Sequence, residues 1–157
     1  MILTEGTPQE LDALSNQLFE FNKTIVPDFK GKDTPFEFVR YVFKQEDQVI
    51  AGISGKICIN NVLFIDDFFV IEIFRKQGLA SKLLERLESE AKVRGCYLAV
   101  LETINEDAVV FYQKRGYEVF AILDNVPCPN VQHVHMKKDF ISNVAISLTE
   151  KALLNLS

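Results

Sequence analysis

Apolar residues recur along the chain with two periods, and the places where one gives way to the other mark out its elements. Leu11, Leu14, Leu18 and Phe21 fall on one helical stripe. Thr7-Pro8-Gln9-Glu10 starts that helix, with Thr7 as N-cap, Pro8 in the first turn and Glu10 completing a capping box. The pattern fades near Asn22, and a short strand, Ile2–Thr4, is expected ahead of it. The polar stretch Asn22–Pro35, with Pro27, Gly31 and Pro35, reads as a long loop. Such a loop is either functional or a plain connector.

Strand periodicity takes over at Phe36–Lys44 and Gln48–Ile59, joined by Gln45-Glu46-Asp47, and Asn60-Asn61 turns the chain into Val62–Ile71. That last run is apolar apart from Asp66–Asp67, the composition of a strand buried on both faces. Helical spacing returns with Leu79, Leu83, Leu84, Leu87 and Ala91 on one stripe and Lys82, Glu85, Glu88 and Lys92 off it; Lys92, Arg94 and Gly95 form the stop. Tyr97–Thr103 is again a strand, so Phe64–Gly95 and its flanks read as strand–helix–strand with a parallel pair. Asn105–Arg115 predicts a short helix ended by Gly116, then come a strand at Tyr117–Leu123, a loop at Asp124–Asn130 and a final strand at Val131–Phe140. In the tail, Ile141–Ser157, Leu153, Leu154 and Leu156 must pack on the body or on a second subunit, which leaves a homodimer open.

A chain of 157 residues is expected to form one domain over 1–140 with a C-terminal extension over 141–157. Such a chain buries roughly 70% of its unfolded surface without crosslinks. Its net charge of −5 and lack of a basic run argue against nucleic acid and mildly favour a cationic substrate. No apolar run reaches membrane-spanning length, so no membrane partner is expected. Three widely spaced cysteines, Cys58, Cys96 and Cys128, and an N-terminus without a signal-peptide pattern point to a cytoplasmic protein.

The candidate chemistry lies in Arg75-Lys76-Gln77-Gly78-Leu79-Ala80, between strand and helix. A helix's first turn leaves backbone N–H groups without intrahelical partners, and its dipole favours negative charge there. Gly78 allows close backbone approach, Ala80 keeps the next inward position small, and Arg75 and Lys76 add positive charge. Together these suit a phosphate or pyrophosphate. The loop lacks the glycine and lysine spacing of a Walker loop and the three glycines of a dinucleotide fingerprint.

The spacing R-x-x-G-x-A directly after Phe68-Phe69-Val70 resembles the coenzyme A loop of the GNAT acetyltransferase superfamily. Asn105-Glu106-Asp107-Ala108-Val109-Val110-Phe111-Tyr112-Gln113-Lys114-Arg115-Gly116-Tyr117 is similar to that family's N-x-x-A-x-x-F-Y-x-x-x-G-[FY]. The resemblance runs roughly from Ile2 to Lys138 and is strongest to small bacterial members. It implies an α/β fold with a twisted mixed sheet, helices on both faces, and splayed central parallel strands with acetyl-CoA between them.

It further implies acetyl-CoA as co-substrate, with no metal. Arg75, Lys76, Gln77, Gly78, Leu79, Ala80 and Ser81 would hold its pyrophosphate, largely through backbone amides. Phe68, Phe69 and Val70 would line the acetyl and pantetheine end, the last two through their backbones. Asn105 would touch the pantetheine, Phe111 would pack beneath it, and Tyr112 would protonate the leaving sulfur. Asp66 is the candidate base, acting through water; plain alternation puts it on one face with Phe68 and Val70, and Asp67 on the other with Phe69. Glu72 stands where the family often has proline. The acceptor would be an amine on a small molecule or peptide, and a CoA-binding module without catalysis is the alternative.

His133 and His135 share a face across Val134. Two imidazoles at that spacing offer half a metal site, and no Cys, Asp or Glu near them in sequence completes it. A structural pair is expected, with a base lining the acceptor pocket as the other reading. Lys114 and Arg115 read as helix-terminal charges that could also meet the CoA phosphates.

Overall fold

The computed structural model describes residues 4–26, 35–58 and 61–141, and the chain divides into two compact units, Met1–Phe36 and Glu37–Ser157. Among the described residues no helix is long and apolar enough to cross a membrane.

In the first unit, α1 runs Pro8–Ile25. Its start is the reciprocal box the spacing predicts. The Glu10 N–H donates to Thr7 Oγ1 at 3.3 Å, and the Thr7 N–H donates to the Glu10 carboxylate at 2.7 Å. The bonds that the Thr7 N–H and hydroxyl donate to it hold the Glu10 carboxyl below its ordinary range. The helix continues past Asn22 because Ile25 extends the apolar stripe, and Val26 N–H closes it on the Asn22 carbonyl at 2.8 Å. Thr4 is not in a strand; the rest of the expected Ile2–Thr4 strand, most of the Asn22–Pro35 loop, Asn60 and the tail from 142 lie outside the described residues.

The second unit holds β1 (Glu37–Gln45), β2 (Gln48–Cys58), β3 (Val62–Val70), α2 (Leu79–Val93), β4 (Leu98–Thr103), α3 (Glu106–Gln113), β5 (Glu118–Asp124) and β6 (Gln132–Asp139). They build one six-stranded sheet in the order β1-β2-β3-β4-β6-β5. All neighbours are antiparallel except β3 and β4, the parallel pair that the strand–helix–strand pattern requires.

Leu83, Leu84, Leu87 and Ala91 of α2 are buried in one cluster with Val39, Ile53, Ile57, Leu63, Ile65, Ala99, Leu101 and Met136, so α2 packs on one face of the sheet. Tyr112 from α3 and the following Tyr117 join the same cluster. Gly55 sits where a Cβ would lie 2.9 Å from the Phe64 carbonyl oxygen, which is what lets β2 and β3 close up beneath α2. Burial of β3 departs from its composition. Leu63 and Ile65 are buried on the α2 side, whereas Phe64, Asp66 and Phe69 are exposed on the other, so the strand is not buried on both faces.

The helical spacing puts Glu88 outside the apolar stripe, yet it is 6% exposed. Its carboxylate accepts from the Tyr117 hydroxyl at 3.0 Å and from Lys138 Nζ at 2.7 Å, tying α2 to β6 and to the α3–β5 turn. Glu88→Ala strands both donors and should cost about 2 kcal/mol in a urea titration. Glu88→Gln, which can still accept from Tyr117, should cost less.

Candidate active site

β3 and β4 pair only through Val62–Phe64 and Leu98–Val100. β3 runs on to Val70 and β4 to Thr103, but beyond those three pairs the two separate. At ~3.3 Å per residue, the unpaired part of β3 flanks an opening about 20 Å long. The Ile71 N–H donates to the Ile50 carbonyl at 3.0 Å, and Val70 pairs with Ala51. In an antiparallel ladder, bonded and non-bonded pairs alternate. The N–H of Val70 therefore points away from β2, into the opening, while Phe69 faces Gly52 across the ladder.

Past Val70, a single 3₁₀ turn, Glu72–Phe74, leads to the loop. Lys76 (φ +60°) and Gly78 (φ +80°) both take the left-handed region. A backbone that alternates this way turns successive N–H groups toward one point, a concavity that suits anions. Gly78 is the N-cap of α2, with no side-chain cap and no acidic residue in the first turn. The ladder of α2 begins with Lys82 N–H to Gly78 carbonyl at 3.2 Å, so the amides of Leu79, Ala80 and Ser81 precede it. A Cβ on Gly78 would meet nothing within 4 Å.

Arg75 folds back on the strand end, its Nε donating to the Val70 carbonyl at 3.0 Å and its guanidinium 5.6 Å from the Phe69 ring. Gln77 donates to the Ile73 carbonyl at 3.4 Å. Ser81 Oγ accepts from the Arg115 guanidinium, which also donates to the Phe111 carbonyl at 2.7 Å and stacks 3.5 Å from the Phe111 ring. Arg115 thus ties the start of α2 to the end of α3, a positioning role its place at a helix terminus does not announce.

Phe68 turns to the α2 side, its ring 5.7 Å from Phe111 and 6.2 Å from Tyr112. Tyr112 is 5% exposed and also meets Tyr117 at 5.2 Å. Asn105 caps α3, its Oδ1 accepting from Asp107 N–H at 2.9 Å and Ala108 N–H at 3.3 Å, which leaves its NH₂ available. Burial pushes the Tyr112 phenol well above its usual range, and burial with the Glu88 carboxylate does the same to Tyr117. Both stay protonated at neutral pH, and the stability this contributes is whole below about pH 10, where unfolded phenols titrate. As pH rises above that value the unfolded state sheds protons first, and the contribution is lost. Tyrosinate absorbance and circular dichroism followed together should show these two of the four tyrosines ionising only as the protein unfolds. Ionisation of all four in a native fold would contradict the burial.

The acidic pair corrects simple alternation. Ile53 pairs with Phe68 and Gly55 with Ile65, so one β2 residue, Ser54, opposes both Asp66 and Asp67. This β-bulge shifts the facing by one residue. Phe68 and Val70 join the core on the α2 side, while Asp66 and Asp67 both reach partners on the opposite face. Asp66 pairs with Lys56 at 3.1 Å, and Asp67 accepts from Ser54 Oγ at 2.9 Å. Asp66 therefore does not share a face with Phe68 and Val70. The hydrogen bond and charge of Asp66 raise the Lys56 ammonium above its ordinary pKa. A cavity of about 310 Å³ opens on that face beside Asp67 and Phe69, walled by Arg40, Ser54 and Ile71.

The histidines are also placed differently from their sequence surroundings. Pairing of β4 with β6 sets Glu102 opposite His135, and Glu102 Oε2 lies 3.4 Å from His133 Nε2 and 3.5 Å from His135 Nδ1. The carboxylate absent from the neighbouring sequence comes from another strand. The three cysteines are free; Cys96 is buried, Cys58 half-buried and Cys128 exposed.

A family model described as the acetyltransferase (GNAT) family matches residues 9–117. An acetyltransferase of Agrobacterium fabrum is 38% identical over 72 residues, 46% of this chain and 52% of that protein. The chain spans about half the length of the curated relatives it matches. Among solved structures, an acetyltransferase from Bacillus cereus superposes with a TM-score of 0.68 at 27% identity, covering 89% of this chain and 98% of the other. An aminoglycoside 6'-N-acetyltransferase complexed with coenzyme A shares the fold at a TM-score of 0.62 and 18% identity, over 91% and 99% of the two chains.

Proposed function

This chain belongs to the GNAT acetyltransferase family, and from that premise we propose that it moves an acetyl group from acetyl-CoA to an amine of a small molecule or peptide, by direct attack in a ternary complex. The observation that carries the reading is the register that turns the Val70 N–H away from β2, into the opening between β3 and β4 one short turn before the uncapped start of α2. Amides from Lys76 to Ser81 take the pyrophosphate. The opening takes the pantetheine, with Phe68 and Phe111 beneath it and the Asn105 NH₂ at its edge. The acceptor sits on the opposite face, in the cavity beside Asp67 and Phe69.

Each group then has a task its chemistry fits. A primary amine with a pKa near ~10.4 is almost wholly protonated at neutral pH and must lose a proton to attack. Asp66 takes it through water, since its carboxylate lies on the acceptor face, beside Lys56 at 3.1 Å. The Val70 N–H donates to the oxygen on which negative charge develops, where a fixed dipole in a dry slot is worth most. Tyr112, kept neutral by burial, hands its proton to the departing sulfur, whose parent thiol has a pKa of about 8.5, and regains one as the proton taken from the amine returns through water. No covalent enzyme intermediate is needed. The free cysteines fit a reducing, cytoplasmic setting.

The test is titration of acetyl-CoA into the full chain, with release of free thiol followed across a panel of amines. Saturable binding and amine-dependent release support the proposal. Binding without release for every acceptor favours the CoA-binding module instead, and failure to bind acetyl-CoA removes both.

A further inference from the structure

The face of the sheet opposite α2 holds a second cluster of ionisable groups, to which the acetyl transfer proposed above assigns no task. Glu102 stands on β4, and His133 and His135 stand on the adjacent β6, two residues apart and so on one face. We propose that these three side chains bind one divalent ion of the zinc, cobalt or nickel class.

The spacing argues for shared ligation over direct pairing. Both histidines approach the same oxygen, Glu102 Oε2, at 3.4 Å from His133 Nε2 and 3.5 Å from His135 Nδ1. N–H···O hydrogen bonds prefer about 2.7–3.2 Å, so the carboxylate is bracketed by the two imidazoles without tightly bonding either. Two ligands each about 2.1 Å from a tetrahedral zinc ion stand about 3.4 Å apart, close to the separation observed. The candidate donor atoms of all three residues lie within 4.8 Å of one another.

The surroundings agree. The rings of His133 and His135 are 4.9 Å apart and tilted by 41°, and the His135 ring meets Phe120 edge-on at 6.0 Å. The His135 Nε2, the ring nitrogen turned away from Glu102, is buried with no hydrogen-bond partner among the described residues. Hydrogen-bonded neighbours β4 and β6 carry the three side chains, a stiffer platform than a loop. Glu102 is 57% exposed and each histidine 24%, so an ion can enter from solvent and keep a water in its fourth position. Two imidazoles and one carboxylate suit zinc, cobalt or nickel and are too nitrogen-rich for magnesium or calcium.

Cobalt(II) titrated into the tag-free full chain, followed by its visible absorption, tests this, with zinc titrated by calorimetry alongside. The expected result is one ion per chain, tetrahedral-type bands, and no thiolate charge-transfer band. Glu102→Gln, His133→Ala and His135→Ala, each checked for folding by circular dichroism, should weaken binding by at least about 10-fold. Glu102→Gln keeps the side chain's shape and decides the matter if a histidine variant fails to fold. Absence of stoichiometric binding, a thiolate band, or undiminished affinity in Glu102→Gln would overturn the assignment.

Discussion

Replacing Tyr112 with Phe is expected to lower acetyl transfer by about 10²-fold or more, with acetyl-CoA affinity nearly unchanged. The substitution removes one oxygen and leaves the ring, and the ring is what packs. Its neighbours Phe68, Phe111 and Tyr117 lie 5.2–6.2 Å away by centroid, and all three contacts survive in phenylalanine. Burial raises the phenol pKa, and among the described residues no hydrogen bond to the hydroxyl is lost with it. Thermal stability should therefore stay within a fraction of a kcal/mol of the parent. If the phenol protonates the sulfur as it leaves, kcat and kcat/KM fall together, because the interaction exists only in the transition state. Unchanged turnover would return Tyr112 to the role of a core aromatic and leave sulfur departure to solvent.

What could be read from the sequence was local. The capping box at Thr7 involves residues three apart, and the α2 stripe repeats within a few turns, so both are complete in their own segment. The parallel pairing of β3 and β4 follows from a helix lying between two strand patterns. Features that need two distant segments were not legible. Glu88 lies between Leu87 and Ser89 in an ordinary charged pattern, and it is buried only because Tyr117 and Lys138, 29 and 50 residues downstream, arrive to bond it. The bulge at Asp66–Asp67 depends on Ser54 standing opposite two residues, which no alternation within β3 can reveal. Glu102 reaches the histidines because β6 inserts beside β4, and only the strand order states that. The tight passage from strand end to helix start was legible because Gly78 and the helix pattern adjoin, but the left-handed backbone at Lys76, a non-glycine residue, gave no signal.

Gly78→Ala is expected to weaken acetyl-CoA binding by about 10-fold or more, beyond what its effect on folding can explain. With φ at +80°, residue 78 occupies a region that costs a side chain roughly 1–2 kcal/mol. Strain of that size lowers stability and by itself says nothing about a ligand. The space around the new methyl carries the argument: beyond its own chain neighbours no atom of the described residues lies within 4 Å of it, so the partner left for it to collide with is a molecule seated on the α2 amides. Gly95→Ala separates the two effects. Gly95 has φ +83° just past the other end of the same helix, and its nearest contact, Asn61 Nδ2, lies at an unstrained 3.7 Å. The two variants should lose similar stability in thermal melts, and only Gly78→Ala should lose affinity in calorimetric titration with acetyl-CoA. Equal affinity losses would trace the effect to a loosened helix, and no loss in either would move the pyrophosphate away from the start of α2.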